Sequence, residues 1–259
     1  MAIKPINAFK KAALNYAKDA KLQKAIANRL AKYCKDLKIP DGIIIDLGAG
    51  CGYLAESLEG ENFMNKIYLI DNCKEMLSES KMLTERQITW DLNNGLPPIK
   101  ENIAMIVSSF ALQWLDEPME QIKEWTKQLS TGGWLVLAVP VEGSFKSWRE
   151  AAKLAHAPYT GNSLPASKEL IKTIENNLFI KKQNHLCFTK KYDSGLEFLK
   201  ELKHLGVNGG TKLSSNSREM KRMIKEWPKS ISTTQNNGKP EISINWEIEL
   251  VIAQKGKDK

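Results

Sequence analysis

Three glycines, Gly48, Gly50 and Gly52, follow Asp46 in the run Ile43-Ile44-Ile45-Asp46-Leu47-Gly48-Ala49-Gly50-Cys51-Gly52. Their i, i+2, i+4 spacing is not the G-x-G-x-x-G turn that cradles a diphosphate at a helix N-terminus. Glycines let the backbone approach a ligand closely, and an acid near the end of the strand suits a group carrying positive charge. Asp71 stands 19 residues past Gly52, at the end of the next apolar run, Ile67-Tyr68-Leu69-Ile70. An acid there can accept both hydroxyl protons of a ribose. It can also cap a helix beginning near Asn72, and the two roles coexist. Asp91 follows Trp90 at the end of a third run, where an acid can bond an adenine edge or simply face solvent. Met76 and Leu77 read as core, and Met76 can also form a ligand wall. Together these residues suit a cationic nucleoside without phosphates.

The elements that must position them follow from the pattern of apolar runs. Ile43–Leu47 is a continuous apolar run broken only by Asp46 and preceded by Pro40-Asp41-Gly42, as expected of a strand buried on both faces. Further strands are predicted at Lys66–Ile70, Gln87–Trp90, Ile103–Ser108 and, after a Ser130–Gly133 turn, Trp134–Val139. Helices are predicted between them at Tyr53–Leu58, Lys74–Leu83 and Pro118–Leu129. This alternation implies βαβ units and right-handed crossovers. Beyond Pro140 the rhythm changes. Helices are expected at Ser144–His156, Ser167–Asn176, Ser194–Leu205 and Ser217–Trp227, and strands at Phe179–Thr189 and Ile242–Ala253. Residues 207–217 and Gln235–Gly238 read as polar loops.

Length and composition suit one α/β domain over residues 1–259, 42% of them hydrophobic. Its parts are a basic helical segment (1–40), a ligand-binding core (41–140), a cap carrying one strand (141–232) and a final strand (233–259). No stretch approaches the roughly 20 apolar residues that cross a bilayer, and the N-terminus is too charged for a signal peptide, so a cytoplasmic protein is expected. Cys34, Cys51, Cys73 and Cys187 lack the spacing of a zinc site or a disulfide framework; no metal is expected. Residues 1–40 hold ten Lys/Arg against Asp19 and Asp36, and that excess of eight equals the +8 of the whole chain. On a helical wheel Leu22, Ile26, Leu30, Tyr33 and Leu37 lie opposite these cations. The charged face is either a solvated surface or a dock for an acidic partner.

D-x-G-x-G-x-G at Asp46–Gly52, D-x-x-x-x-M-L at Asp71–Leu77, Asp91, and L-S-T-G-G-W-L at Leu129–Leu135 together resemble the class I S-adenosylmethionine-dependent methyltransferases. The resemblance implies a seven-stranded, mostly parallel, Rossmann-like α/β sheet with N-terminal helices and a C-terminal helical cap. The cofactor would be S-adenosylmethionine, held by Asp46, Gly48, Gly50, Gly52, Asp71, Asn72, Met76, Asp91, Leu92 and Ser109.

Ser108-Ser109-Phe110-Ala111-Leu112-Gln113-Trp114-Leu115 stands where nucleic-acid amino-methyltransferases carry an Asn/Asp-Pro-Pro-aromatic run, which argues against base methylation and a nucleic-acid partner. That segment is similar to one in malonyl-acyl-carrier-protein O-methyltransferases of biotin synthesis. So are Phe9–Gln23, Gly143-Ser144-Phe145 with Trp148, and Leu199–Asn208. Ser109, Asn72, Val207 and Ala104 depart from that family's pattern. The likeness implies O-methylation of a malonyl carboxylate on an acidic acyl carrier protein, which gives the basic segment and Arg218–Lys225 a purpose. It points to Tyr16 as part of a lid and to Gln113 and Trp114 as a substrate wall. Lys200, Lys203 and His204 become candidates for a carboxylate clamp. A carboxylate is already a nucleophile, so placement and exclusion of water suffice. A methyltransferase for another small acid or a quinol shares the same core, as does a non-catalytic cofactor-fold module.

Overall fold

The apolar run Ile43–Leu47 becomes β1, every residue of it buried. The computed structural model describes residues 5–61, 63, 65–207, 217–231 and 240–256. Two helices, α1 (Pro5–Asp19) and α2 (Lys21–Cys34), precede β1. After it come α3 (Tyr53–Glu59), β2 (Ile67–Asp71), α4 (Lys74–Leu77), β3 (Gln87–Thr89), β4 (Ile103–Ser109), α5 (Pro118–Gln128) and β5 (Leu129–Pro140). The later part holds α6 (Lys146–Leu154), α7 (Ser167–Glu175), β6 (Phe179–Tyr192), α8 (Gly195–His204), α9 (Ser217–Glu226), β7 (Ser230–Ile231) and β8 (Pro240–Gln254).

The sheet runs β3-β2-β1-β4-β5-β8-β6, with β7 pairing on β8. Strands β1 to β5 pair in parallel, while β8 lies antiparallel to β5 and β6. The expected seven-stranded, mostly parallel sheet is present. From β1 the chain winds outward to β3, then returns past β1 to β4. That reversal opens a crevice at the carboxyl ends of β1 and β4, where such sheets bind ligands.

Each sheet face carries its own core. Ile26, Leu30, Leu54 and Leu58 of α2 and α3 pack with Val107 and Val136 on one side. Ile122 and Trp125 of α5 and Leu170 and Ile174 of α7 pack with Ile45 and Leu137 on the other. A third cluster, with Phe145, Trp148, Phe198 and Trp227, holds the cap helices to the far end of β8 through Ile242 and Ile244.

Several local readings change. The basic segment divides into two helices because the chain turns at Ala20 (φ −72°, ψ 59°), which is fully buried. Helix α4 ends at Leu77 instead of Leu83. Beyond it, side chains replace helical acceptors: Lys81 donates its N–H to Glu56 Oε1 (3.0 Å) and Met82 to Ser80 Oγ (3.2 Å). The expected Ser130–Gly133 turn lies inside β5 as a bulge. Ile103 pairs with Leu129 and Met105 with Trp134, and Gly132 takes φ +79°. Lys255 then donates to the carbonyls of Thr126, Lys127 and Leu129 at 3.0, 2.9 and 2.8 Å, satisfying the open end of α5. Residues 208–216 and 232–239 lie outside the described residues. With them go Asn208, most of the 207–217 loop and the Gln235–Gly238 turn. Among the described residues no helix is long and apolar enough to cross a membrane, and no cluster suits a metal ion.

Candidate functional site

The turn after β1 is built to lie close to its neighbours. Gly48 and Ala49 donate to the Ile70 carbonyl at 2.8 and 3.1 Å, tying the turn to β2. A Cβ on Gly48 would stand 2.1 Å from the Ala111 Cβ, and its φ is +68°; only glycine fits there. Asp71 Oδ2 accepts the Gly50 N–H at 2.9 Å and Oδ1 the Cys73 N–H at 2.8 Å. Asp71 thus braces the turn, while the residue that precedes α4 in the capping position is Cys73. Gly52 faces elsewhere. It begins α3 at φ +80°, and a Cβ there would meet Ser80 Oγ at 2.2 Å, so its task is to let α3 leave the sheet beside Ser80.

A cleft of about 570 Å³ opens over the carboxyl ends of the strands. Asp46, Gly48, Gly50, Asp71, Asn72, Met76, Asp91, Leu92 and Ser109 line it, as do Tyr16 and Trp114; Gly52 does not. Asp46 is almost fully buried, and its Oδ2 accepts the Ala55 N–H at 3.2 Å. Burial pushes its carboxyl up to about 7; the Ala55 bond opposes this and the charge of Asp71 adds to it. Burial also raises Asp71, against the N–H groups of Cys73, Gly50 and Asn72. Asp91 is exposed and accepts from the backbone and side-chain nitrogens of Asn93 through Oδ1 (3.0 and 3.1 Å). Ser109 Oγ is buried without a partner, a polar atom that a ligand can satisfy. Four acids, counting Asp116, line this cleft, and among its described lining residues there is no Lys, Arg or His. Such a cleft favours a cation.

A second, smaller cavity of about 70 Å³ adjoins it, walled by Phe145, Trp148, Leu164, Leu202 and Trp246. The two share Phe9, Tyr16, Gln23, Phe110 and Trp114. Helix α1 roofs the junction. Phe9 meets Trp114 edge-on at 5.2 Å, and Tyr16 stacks on Tyr53 at 6.0 Å. The Tyr53 hydroxyl donates to the Tyr16 carbonyl at 2.6 Å. Burial holds the Tyr16 phenol well above its usual range, so it stays protonated. Gln113 lines only the smaller cavity; its Nε2 donates to the Phe110 carbonyl at 2.8 Å, and its Oε1 is buried without a partner. Phe110 and Phe145, on two sides of this cavity, take φ of +57° and +60°, strained backbone of the kind that gathers at functional sites.

The proposed carboxylate clamp needs correction. Lys200, Lys203 and His204 are exposed and line neither cavity. Helix α8 turns Phe198 and Leu202 inward, which leaves these three on its outer side, where His204 Nε2 meets Asp19 Oδ2 at 2.9 Å. Gln23, absent from the expected site residues, lines both cavities. A signal for it exists in the sequence: Gln23, Ile26, Ala27, Leu30, Ala31 and Cys34 form the buried stripe of α2, so a glutamine holds a place where an apolar residue belongs. Thr160 and Asn162 also line the smaller cavity; they follow α6 in a segment without periodicity to reveal them.

Residues 45–137 match the family model described as a methyltransferase domain. The chain is 26% identical over 242 residues to a biotin biosynthesis bifunctional protein of Teredinibacter turnerae, covering 85% of this chain and 42% of that one. It therefore spans less than half of that relative's length. It is 27% identical over 213 residues to the malonyl-[acyl-carrier protein] O-methyltransferase of Bacteroides thetaiotaomicron, covering 80% and 78% of the two chains. In fold it is similar to a putative methyltransferase of Bacillus halodurans, with a TM-score of 0.60, 15% identity, and coverage of 88% and 99%. The matched residues run from the middle of β1 to late in β5 and enclose the glycine turn, Asp71 and Asp91; over that stretch the chain matches a methyltransferase domain.

Proposed function

We propose that this protein methylates the free carboxylate of a malonyl thioester borne on an acyl carrier protein, giving the methyl ester used in biotin synthesis. The observation that carries the reading is the meeting of two unlike cavities, one lined by acids and one aromatic and neutral, at Tyr16, Gln23 and Trp114. The names of the relatives supply the acceptor.

The cleft suits S-adenosylmethionine. Asp46 and the close-set glycines take the cationic amino-acid end. Asp71 Oδ2 holds the Gly50 N–H and Oδ1 the Cys73 N–H, and the carboxylate still offers lone pairs to the ribose hydroxyls. Asn72, Met76, Asp91 and Leu92 border the nucleoside, and the unpartnered Ser109 hydroxyl adds a polar contact. When bound, the cofactor supplies a methyl group already activated on a sulfonium.

Little further is asked of the side chains. An ionised carboxylate needs no base, so the residues at the junction orient it and keep water out. Alignment of two held reactants can lower a barrier by about 7–11 kcal/mol. Phe9, Phe110, Trp114 and Trp246 supply the dry walls. Outside, Lys18, Lys21 and Arg29 are exposed on α1 and α2, a cationic surface for an acidic carrier protein.

A labelled-methyl assay with malonyl carrier protein tests the reading, scored for an alkali-labile ester. Label on the carrier supports it. Transfer only to a free small acid or a quinol would move the acceptor to that compound.

A further inference from the structure

An anion entering the smaller cavity meets no cation. Among the described residues lining either cavity there is no lysine, arginine or histidine, and the cations of α8 face outward. Yet a carboxylate that attacks a group held in the acid-lined cleft must sit where the two cavities meet. Of the five residues shared there, Phe9, Phe110 and Trp114 are aromatic walls, which leaves the Tyr16 hydroxyl and the Gln23 amide. Gln23 is 7% exposed, and among the described residues no hydrogen bond engages its side chain. An amide with no partner among the described residues, beside a cavity, is one that a ligand can complete.

We propose that the Gln23 amide, with the Tyr16 hydroxyl, seats the acceptor's reacting carboxylate through neutral donors, so that its only positive counter-charge comes from the ligand in the neighbouring cleft. The inference rests on the acceptor reading above and names the residue that recognises it. The chemistry favours such a seat. A lysine or arginine would bind the carboxylate charge strongly in the ground state, which helps binding without lowering the barrier. Neutral donors fix its direction and leave its charge facing the electrophile. Transfer then removes both charges together: the carboxylate becomes an ester as the sulfonium becomes a thioether, and the attraction that seated the acceptor is gone.

The test is a binding measurement without turnover. S-malonyl-N-acetylcysteamine is titrated into protein loaded either with an analogue bearing an ammonium in place of the sulfonium or with S-adenosylhomocysteine, a neutral thioether. Affinity should be about tenfold higher in the ammonium-loaded protein. Gln23→Leu should weaken the thioester there by about tenfold, the loss expected of one hydrogen bond to a charged group, while the analogue itself binds as to the parent. Gln23→Glu, nearly the same shape, should weaken it further by repulsion, with an unchanged melting temperature showing that the site is intact. Equal thioester affinity in the two loaded forms, or parental affinity in Gln23→Leu, would overturn the inference. If the parent methylates malonyl carrier protein while Gln23→Leu binds the thioester normally, the acceptor reading survives and the role of Gln23 does not. If the parent methylates no malonyl substrate, the acceptor reading itself fails.

Discussion

Asp71 and Gly50, 21 residues apart, are joined by a 2.9 Å bond from the Gly50 N–H to the Asp71 Oδ2. The acid at the end of β2 therefore shapes the glycine turn after β1 besides facing the cleft. Asp71→Ala should damage both functions. Two charge-assisted bonds to ribose, at about 1.5–3 kcal/mol each, predict a loss of at least about a hundredfold in S-adenosylmethionine affinity by calorimetry. Parental affinity in Asp71→Ala would remove the cleft as the nucleoside site.

Asp46 should make that affinity depend on pH. Its carboxyl is pushed up to about 7 by burial, and a cation bound beside it draws the value down. Below about pH 7 binding must expel a proton, so affinity should fall towards tenfold per unit, and it should be flat above. Asp46→Asn should bind weakly with no such slope. The native value lies above the ordinary 3.8, so the unfolded chain ionises first. Stability from this group is therefore lost as pH rises from about 4 to about 7. Without ligand, Asp46→Asn should melt no lower than the parent at pH 8.

Gly48 and Gly132 form an internal comparison. Both have positive φ, +68° and +79°, but a Cβ at Gly48 meets Ala111 at 2.1 Å while one at Gly132 meets nothing within 4 Å. Gly132→Ala should cost about 1 kcal/mol, the backbone penalty alone. Gly48→Ala should cost about 2–4 kcal/mol from strain plus overpacking and abolish cofactor binding. Urea denaturation separates them.

His185 sits between two carboxylates, Nδ1 at 2.9 Å from Glu249 Oε2 and Nε2 at 2.8 Å from Glu247 Oε2. With a carboxylate at each ring nitrogen, the pair of acids favours the protonated ring, in which both nitrogens donate. Its bonds to Glu249 and then Glu247 raise its pKa above 6.5. The stability it confers is complete below about pH 6.5 and is lost as pH rises through the higher folded value. Nitrogen NMR should show His185 doubly protonated at pH 7; a neutral ring there would contradict the arrangement.

Lys18, Lys21 and Arg29 should serve the partner and not the chemistry. Neutralising all three should raise KM for carrier-bound substrate, most clearly at low salt, and leave turnover of a small malonyl thioester unchanged. Identical kinetics on the carrier substrate would discard the docking role.

The parallel strands were legible because each is a short apolar run between turn residues, as at Ile43–Leu47 and Ile103–Ser109. Asp46 and Asp71 could be placed for the same reason, since a residue near the end of a strand is located by counting. Helix α4 was overextended because Ser78–Lys81 has no strong breaker. Its helical bonds lose to Glu56 and Ser80 side chains, and the Glu56 bond is visible only once α3 is packed alongside.

The sequence by itself determined the elements, their alternation and the acids that close the first strands, because these depend on periodicity and near neighbours. Tertiary structure alone decided which cap and lid residues face the cavities. Lys203 and Gln23 are both polar residues on amphipathic helices, yet the packing of α8 against Trp227 turns one to solvent. The bend at Ala20 and the packing of α2 against α3 bring the other to the junction. Motif resemblance matches residue types along a line, whereas the inward phase of a helix is set by what it packs against.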